Sequence, residues 1–171
     1  MNEWGPLLYG DPCRACGFEW SMSTGDAVSL VANMPPSLTG LLEGRSGGER
    51  HPDLAWSAAG YVCHVGDNLR IWAERLIGVI EGASPVVRGY DENELADARN
   101  YESIPLPAAL WSLTRSTGDW LLAVQRSTRP DIRLVHPERG ELTLADVVSA
   151  NAHDAHHHRW DIERIVDVSG H

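Results

Sequence analysis

WSAAGYVCHVGDNLRIWAERLIGVIE, Trp56 to Glu81, is a run of the chain without a single proline. Within it Val62, Val65, Leu69, Trp72, Leu76 and Ile80 recur at three- and four-residue steps, the period of an amphipathic helix and not of a strand. A stripe of that kind has to be covered by other elements, and the flanking sequence supplies three more helices. The first begins at a Ser23-Thr24 cap and runs toward Leu42, with Val28, Val31, Leu38, Leu41 and Leu42 apolar and with Pro35-Pro36 expected to kink or interrupt it. The third runs from about Pro107 to Arg126 and turns Leu110, Leu113, Trp120 and Leu121 inward. The fourth starts at Thr143, has Asp146 three residues later as an imperfect capping box, and continues to about Val168.

Between these helices lie breakers. Gly44, Gly47, Gly48 and Pro52 mark one loop, Glu81 to Pro105 reads as a polar loop, and Pro130, Pro137 and Gly140 mark turns. No alternating pattern argues for a strand, so the fold class is all-α, a four-helix bundle formed by residues 24–171. The stretch from Met1 to Ser23, rich in Gly, Pro and aromatics, reads as an irregular arm. The connections are long for a bundle, and long loops on a rigid scaffold are where substrate pockets are built.

Composition narrows the function. The 171 residues carry 14 Lys+Arg against 24 Asp+Glu, a net charge of -10, which argues against a nucleic-acid partner because phosphate binding needs clustered cations. At 43% hydrophobic, with seven Trp, the chain can fill a single core. No run approaches the roughly 18 apolar residues of a membrane span, and no basic flank with an apolar run opens the chain, so a cytoplasmic protein with no membrane partner is expected. Three cysteines do not make a disulfide framework. Cys13 and Cys16 form a CxxC, half of a zinc site or a redox pair; no second CxxC follows, and reduced thiols are the default reading. Cys63 stands alone beside His64.

Histidine carries the sharper signal. Four of the eight lie in one six-residue window, His153, His156, His157 and His158, within NAHDAHHHRWDI from Asn151 to Ile162. Side chains four apart on a helix stand one above the other, so two can grip one metal ion while a third ligand comes from a facing helix. Two registers exist, His153 with His157 and Asp154 with His158. At about 100° per residue the apolar stripe of Leu144, Val147, Val148, Ala155, Ile162, Ile165 and Val166 lies opposite the first pair and beside the second. The first pair is therefore expected on the more solvated face. His64 sits on the flank of its own helix and can turn into a cleft, with Asp67 placed to orient it or to remain in solvent. A single helical histidine is ordinarily hydrogen-bonded or solvated; a cluster of this density is not so easily dismissed. His51, His136 and His171 read as background, and His156 has no assigned role.

Trp56-Ser57 at a helix start, His64-Val65-Gly66-Asp67 within it, HPERGELTL from His136 to Leu144 and then HDAHHHRWDI occur in that order. In that order they resemble the DinB/YfiT-like superfamily, which includes mycothiol-dependent maleylpyruvate isomerase and bacterial thiol S-transferases. The likeness runs from about Thr24 to Val168, and CRACGFEW, Cys13 to Trp20, is similar to the N-terminal signature of some actinobacterial members. The resemblance implies an up-down-down-up bundle, a divalent metal held by three side chains, and a homodimer. Its first ligand falls on His64. Members with HxxxH match His153 and His157, whereas the isomerase-like branch matches Asp154, His158 and Asp161. The helical-face argument favours His64, Asp154 and His158, with His153 and His157 as the alternative register.

Three protein ligands leave an open position, the mark of a catalytic site, and the expected metal is zinc, with nickel, iron or manganese as other candidates. Such an ion lowers the pKa of a bound thiol or water. The resemblance implies the thiol: mycothiol or bacillithiol attacking an electrophilic small molecule. Hydrolysis or isomerisation at the same ligands is the alternative, and a non-catalytic metal-binding or thiol-sensing module the contrasting class. Arg70, Arg75, Arg159 and Arg164 are candidates to hold a carboxylate. Trp56, Trp72, Trp111 and Trp160 read as core residues that could line a pocket.

Overall fold

The computed structural model describes residues 4–127 and 132–170; the expected turn at Pro130 and the terminal His171 lie outside them. Helix α1 (Pro6–Tyr9) lies in the arm, α2 (Thr24–Ala32) and α3 (Met34–Leu41) form the first bundle position, α4 (Ala58–Ile80) the second, α6 (Leu106–Arg126) the third and α7 (Leu144–Ser169) the fourth. Ser23, Ser57 and Thr143 each cap a helix by accepting a backbone N–H. The Pro35-Pro36 pair does interrupt the first helix: the break falls at Asn33, and the prolines occupy the first turn of α3, where no N–H is needed. At Thr143 both bonds of the capping box are made, so Asp serves there as well as the usual Glu.

Contacts along the helices fix their directions. A Cβ on Gly47 would lie 2.7 Å from Leu106 and 3.0 Å from Ala59, one on Gly66 would lie 3.4 Å from the Leu113 backbone, and Glu81 pairs with Arg126 at 2.6 Å. Residue numbers in α4 and α6 therefore rise together, and the two helices are parallel. Asn68 bonds Asp154 while His64 meets His158, so α7 runs antiparallel to α4. Arg159 bonds Ser37 and Arg45 bonds Ser169, which makes the broken first helix parallel to α7. The result is up-down-down-up. Trp120, Leu69, Leu76, Leu113, Ile162 and Ile165 are fully buried between the helices. The buried indole of Trp120 donates to Asn151 Oδ1 at 2.8 Å, so its polar edge is satisfied inside the core.

Two connections hold structure where loops were expected. Helix α5 (Glu92–Arg99) and a 3₁₀ turn (Tyr101–Ser103) fill the polar segment before α6, with Asp91 capping α5 through the N–H groups of Asn93 and Glu94. An antiparallel hairpin, β1 (Arg133–His136) and β2 (Gly140–Thr143), joins α6 to α7. Its strands are four residues each, too short to show a period, yet Leu134 and Leu142 are buried. Gly140, at φ 74°, supplies the left-handed residue that the tight turn needs. Trp111, read as core, is instead 68% exposed on α6, and Leu110 and Leu121 are only partly buried.

Candidate metal centre

Helices α4 and α7 bring together the three side chains of the favoured register. Ligating atoms of His64, Asp154 and His158 all lie within 4.8 Å of one another. His64 Nε2 is 3.5 Å and His158 Nε2 3.7 Å from Asp154 Oδ1. Both separations are long for hydrogen bonds but suit donors that share one ion about 2.1 Å from each. His64 is 6% exposed, and Asp154 and His158 are half-buried.

The surroundings fix the donors. His158 Nδ1 lies 3.0 Å from Asp161 Oδ2, so Nδ1–H donates to the carboxylate and Nε2 presents its lone pair to the centre. Asp161 is buried and not a solvated charge. Asn68 donates Nδ2–H to Asp154 Oδ2 at 2.8 Å and accepts the Tyr90 hydroxyl at 3.2 Å, a chain that holds the carboxylate from behind. Asp67 takes another part. It is buried, accepts the Tyr101 hydroxyl at 2.6 Å and pairs with Arg99 and Arg70, so it ties α4 to the segment before α6 and does not orient His64.

Burial disfavours a charge on His64, but the Asp154 carboxylate outweighs it and raises the histidine's pKa. Burial likewise opposes ionisation of Asp154, yet His64, His158 and the Asn68 amide hold it well below the usual carboxylate range. The carboxylate is thus anionic, and a cation or a proton is the natural occupant beside it.

The three donors line a cavity of about 300 Å³. Trp56 and Trp72 form apolar wall, Tyr9 of the arm closes one side, and Arg75, Arg139 and His136 also face it. Among the candidate arginines Arg75 is the one on this wall, its guanidinium 4.5 Å above the Trp72 ring. Arg70 pairs with Glu74, Arg159 with Glu163, and Arg164 with Asp161 while stacking on Trp160. His136 is not the background residue expected from the sequence: it is buried, stacks on Trp72 and accepts the Glu138 N–H at Nδ1, which leaves Nε2 as the protonated nitrogen. Burial and the nearby Arg139 and Arg75 lower its pKa. The sequence reading missed Asn68, Tyr90 and Arg139: Asn68, four residues after His64 on the same helix, had a spacing that could have shown it, and the other two carried no local signal.

The alternative register is in a different place from the one expected. His153 and His157 group with Cys13 and Cys16 and not with His64. His153 is 6% exposed, packed by Tyr9 at 4.7 Å, Phe18 at 5.4 Å and Trp20 at 4.5 Å between ring centroids. The expected solvated face is covered because the arm lies over it, a contact that the helix's own periodicity does not contain. Burial and the neighbouring His157 push the His153 pKa down to about 4, and burial and His158 also lower that of His157. Burial raises the Cys63 thiol to about 11, which makes it an inert core residue.

The family model of the DinB superfamily matches residues 31–162. The chain belongs to the DinB superfamily. Among solved structures this DinB protein is similar to YfiT from Bacillus subtilis, with a TM-score of 0.76 and 19% identity over 88% of this chain and 91% of that one. That protein is described as "a probable metal-dependent hydrolase with an unusual four-helix bundle topology". At this identity the likeness establishes the shared fold, in agreement with the helix directions above. No curated protein matches the chain. Among the described residues no helix is long and apolar enough to cross a membrane.

Proposed function

We propose that this DinB-superfamily protein is a divalent-metal-dependent enzyme that transfers a low-molecular-weight thiol, of the mycothiol or bacillithiol kind, to an electrophilic small molecule. The observation that carries the reading is the trio of His64, Asp154 and His158 on the wall of a cavity that also presents Arg75 and Arg139. Two imidazoles and one carboxylate suit zinc, and also iron, nickel or manganese, while leaving positions open to ligands. When bound, the metal lowers the pKa of a coordinating thiol so that the thiolate exists at neutral pH. Arg75 and Arg139 bind a carboxylate on the electrophile or the polar head of the thiol, and Trp56 and Trp72 exclude water from the apolar part. His136 donates Nε2–H to a substrate oxygen.

Hydrolysis at the same ligands is the second reading, favoured by the description of YfiT. The test is to load the purified protein with zinc, nickel, iron or manganese and to follow conjugates by mass spectrometry across a panel of thiols and carboxylate-bearing electrophiles. Conjugation that requires metal and falls at least 100-fold in His64→Ala and His158→Ala supports the proposal. Product formed without thiol moves the assignment to hydrolysis. Conjugation that survives both substitutions or chelation refutes the assigned ligands.

A further inference from the structure

The CxxC of the arm is built as a turn around its two thiols. Cys13 N–H donates to the Phe18 carbonyl at 2.8 Å, and Gly17 N–H donates to the Cys13 carbonyl at 2.9 Å. Gly17 holds φ at 74°, a conformation that closes the turn without a Cβ penalty. Both cysteines are free thiols. Ligating atoms of Cys13, Cys16, His153 and His157 all lie within 4.8 Å of one another. A tetrahedral zinc with Zn–S of 2.3 Å and Zn–N near 2.0 Å spaces its donors about 3.3–3.8 Å apart, so a small contraction closes the shell.

A separate observation points to an occupant. The ring atoms His153 Nε2 and His157 Nδ1 are buried and have no hydrogen-bond partner among the described residues. A buried polar atom left unsatisfied is costly, and two such atoms one helical turn apart beside two thiols are not explained by packing. His157 Nε2, its other nitrogen, lies 3.7 Å from Asp161 Oδ2. The carboxylate lies on the Nε2 side of the ring, beyond hydrogen-bond distance, which leaves the unpartnered Nδ1 as the nitrogen available to an ion.

We propose that Cys13, Cys16, His153 and His157 form a second, structural zinc site that pins the arm to α7. Two thiolates and two neutral imidazoles fill all four positions, whereas the His64 centre keeps one open. Two thiolates also cancel the ion's charge, which lets the site sit in a shell of Tyr9, Phe18 and Trp20. The two rival registers of α7 thus serve two ions. His153 and His157 group with the arm's cysteines and Asp154 and His158 with His64 of α4, all four lining the same cavity, and Asp161 lies beside one histidine of each pair. Because Tyr9 contacts His153 and lines the cavity, the staple also holds one wall of the proposed active site.

The test uses the full chain, purified without chelator and analysed for metal content. Two zinc ions per chain are expected, with Cys13→Ser/Cys16→Ser losing one and His64→Ala losing the other. Because the cysteine variant can fail to fold, wild type is also exchanged with Co²⁺. A sulfur-to-cobalt charge-transfer band that is kept in His64→Ala places the ion on the thiolates. One ion per chain that disappears in His64→Ala, no sulfur-to-cobalt band, or a Cys13–Cys16 disulfide in the metal-loaded protein overturns the staple and leaves the His64 centre standing. One ion per chain that persists in His64→Ala and is lost in Cys13→Ser/Cys16→Ser instead keeps the staple and overturns the His64 centre.

Discussion

Asp161 is the residue on which both histidine pairs lean. Its Oδ2 accepts from His158 Nδ1 at 3.0 Å and lies 3.7 Å from His157 Nε2, while Oδ1 meets Arg164 at 3.4 Å. Losing an outer-shell carboxylate of this kind typically weakens metal binding by about 10- to 100-fold. Asp161→Asn is expected to lose affinity in that range with the helical signal intact, read by competition against a coloured chelator; unchanged affinity would mean that the carboxylate orients nothing. His153 gives a second expectation, for the metal-free protein. Its folded pKa, about 4, lies below the ordinary value of 6.5, so the unfolded chain binds the extra proton first. Stability present above pH 6.5 is lost as the pH falls toward 4, by about 3 kcal/mol for a shift of that size. Urea midpoints measured from pH 7 to pH 4 should fall in the wild type and fall less in His153→Phe. At this scale the sequence showed the two registers of α7 because four-residue spacing dictates which side chains align. It did not show what each register meets, since Cys13, Tyr90 and Arg139 come from segments that no periodicity links to the helix.

The four long helical positions were legible for a physical reason: each buries a stripe long enough to repeat. Helix α4 repeats its apolar step from Val62 to Leu76, and those residues are buried as the step requires. Helix α5 and the hairpin were not legible, because α5 buries only Ala96 and so shows no apolar stripe, and strands of four residues make too few repeats to distinguish a period from chance. Asp91 three residues before Glu94 was the one local sign of α5. The start of α7 matters most to the site, as this helix carries four of the seven proposed ligands. Thr143 Oγ1 accepts the Asp146 N–H at 3.2 Å, and Asp146 Oδ2 accepts the Thr143 N–H at 2.8 Å. Thr143→Ala removes the first bond and is expected to cost about 1 kcal/mol in chemical denaturation. Asp154 and His158 lie about three turns or more from that cap, so metal affinity should stay within twofold of wild type. A larger drop would show that fraying at the hairpin reaches the centre.

For the whole molecule the question is whether the ions fold the chain or merely decorate it. None of the proposed ligands belongs to the group of fully buried side chains formed by Trp120, Leu69, Leu76, Leu113, Ile162 and Ile165. Each of these contributes about 1.5–3 kcal/mol by burial, independently of any metal. Chelation is therefore expected to leave a helical bundle that still unfolds in one cooperative step. Adding metal back at a thousandfold over its dissociation constant stabilises the native state by about 4 kcal/mol. In a domain of this size that raises the melting temperature by about 10 °C. The arm is a different case, because residues before Ser23 pack on α7 through the rings around His153 and through the thiol cluster. Limited proteolysis of the chelated protein should cut within the arm while the bundle resists, and zinc should restore protection. If chelation instead abolishes the helical signal altogether, the metals act as folding staples for the bundle itself, and the division between a self-sufficient core and a metal-pinned arm is wrong.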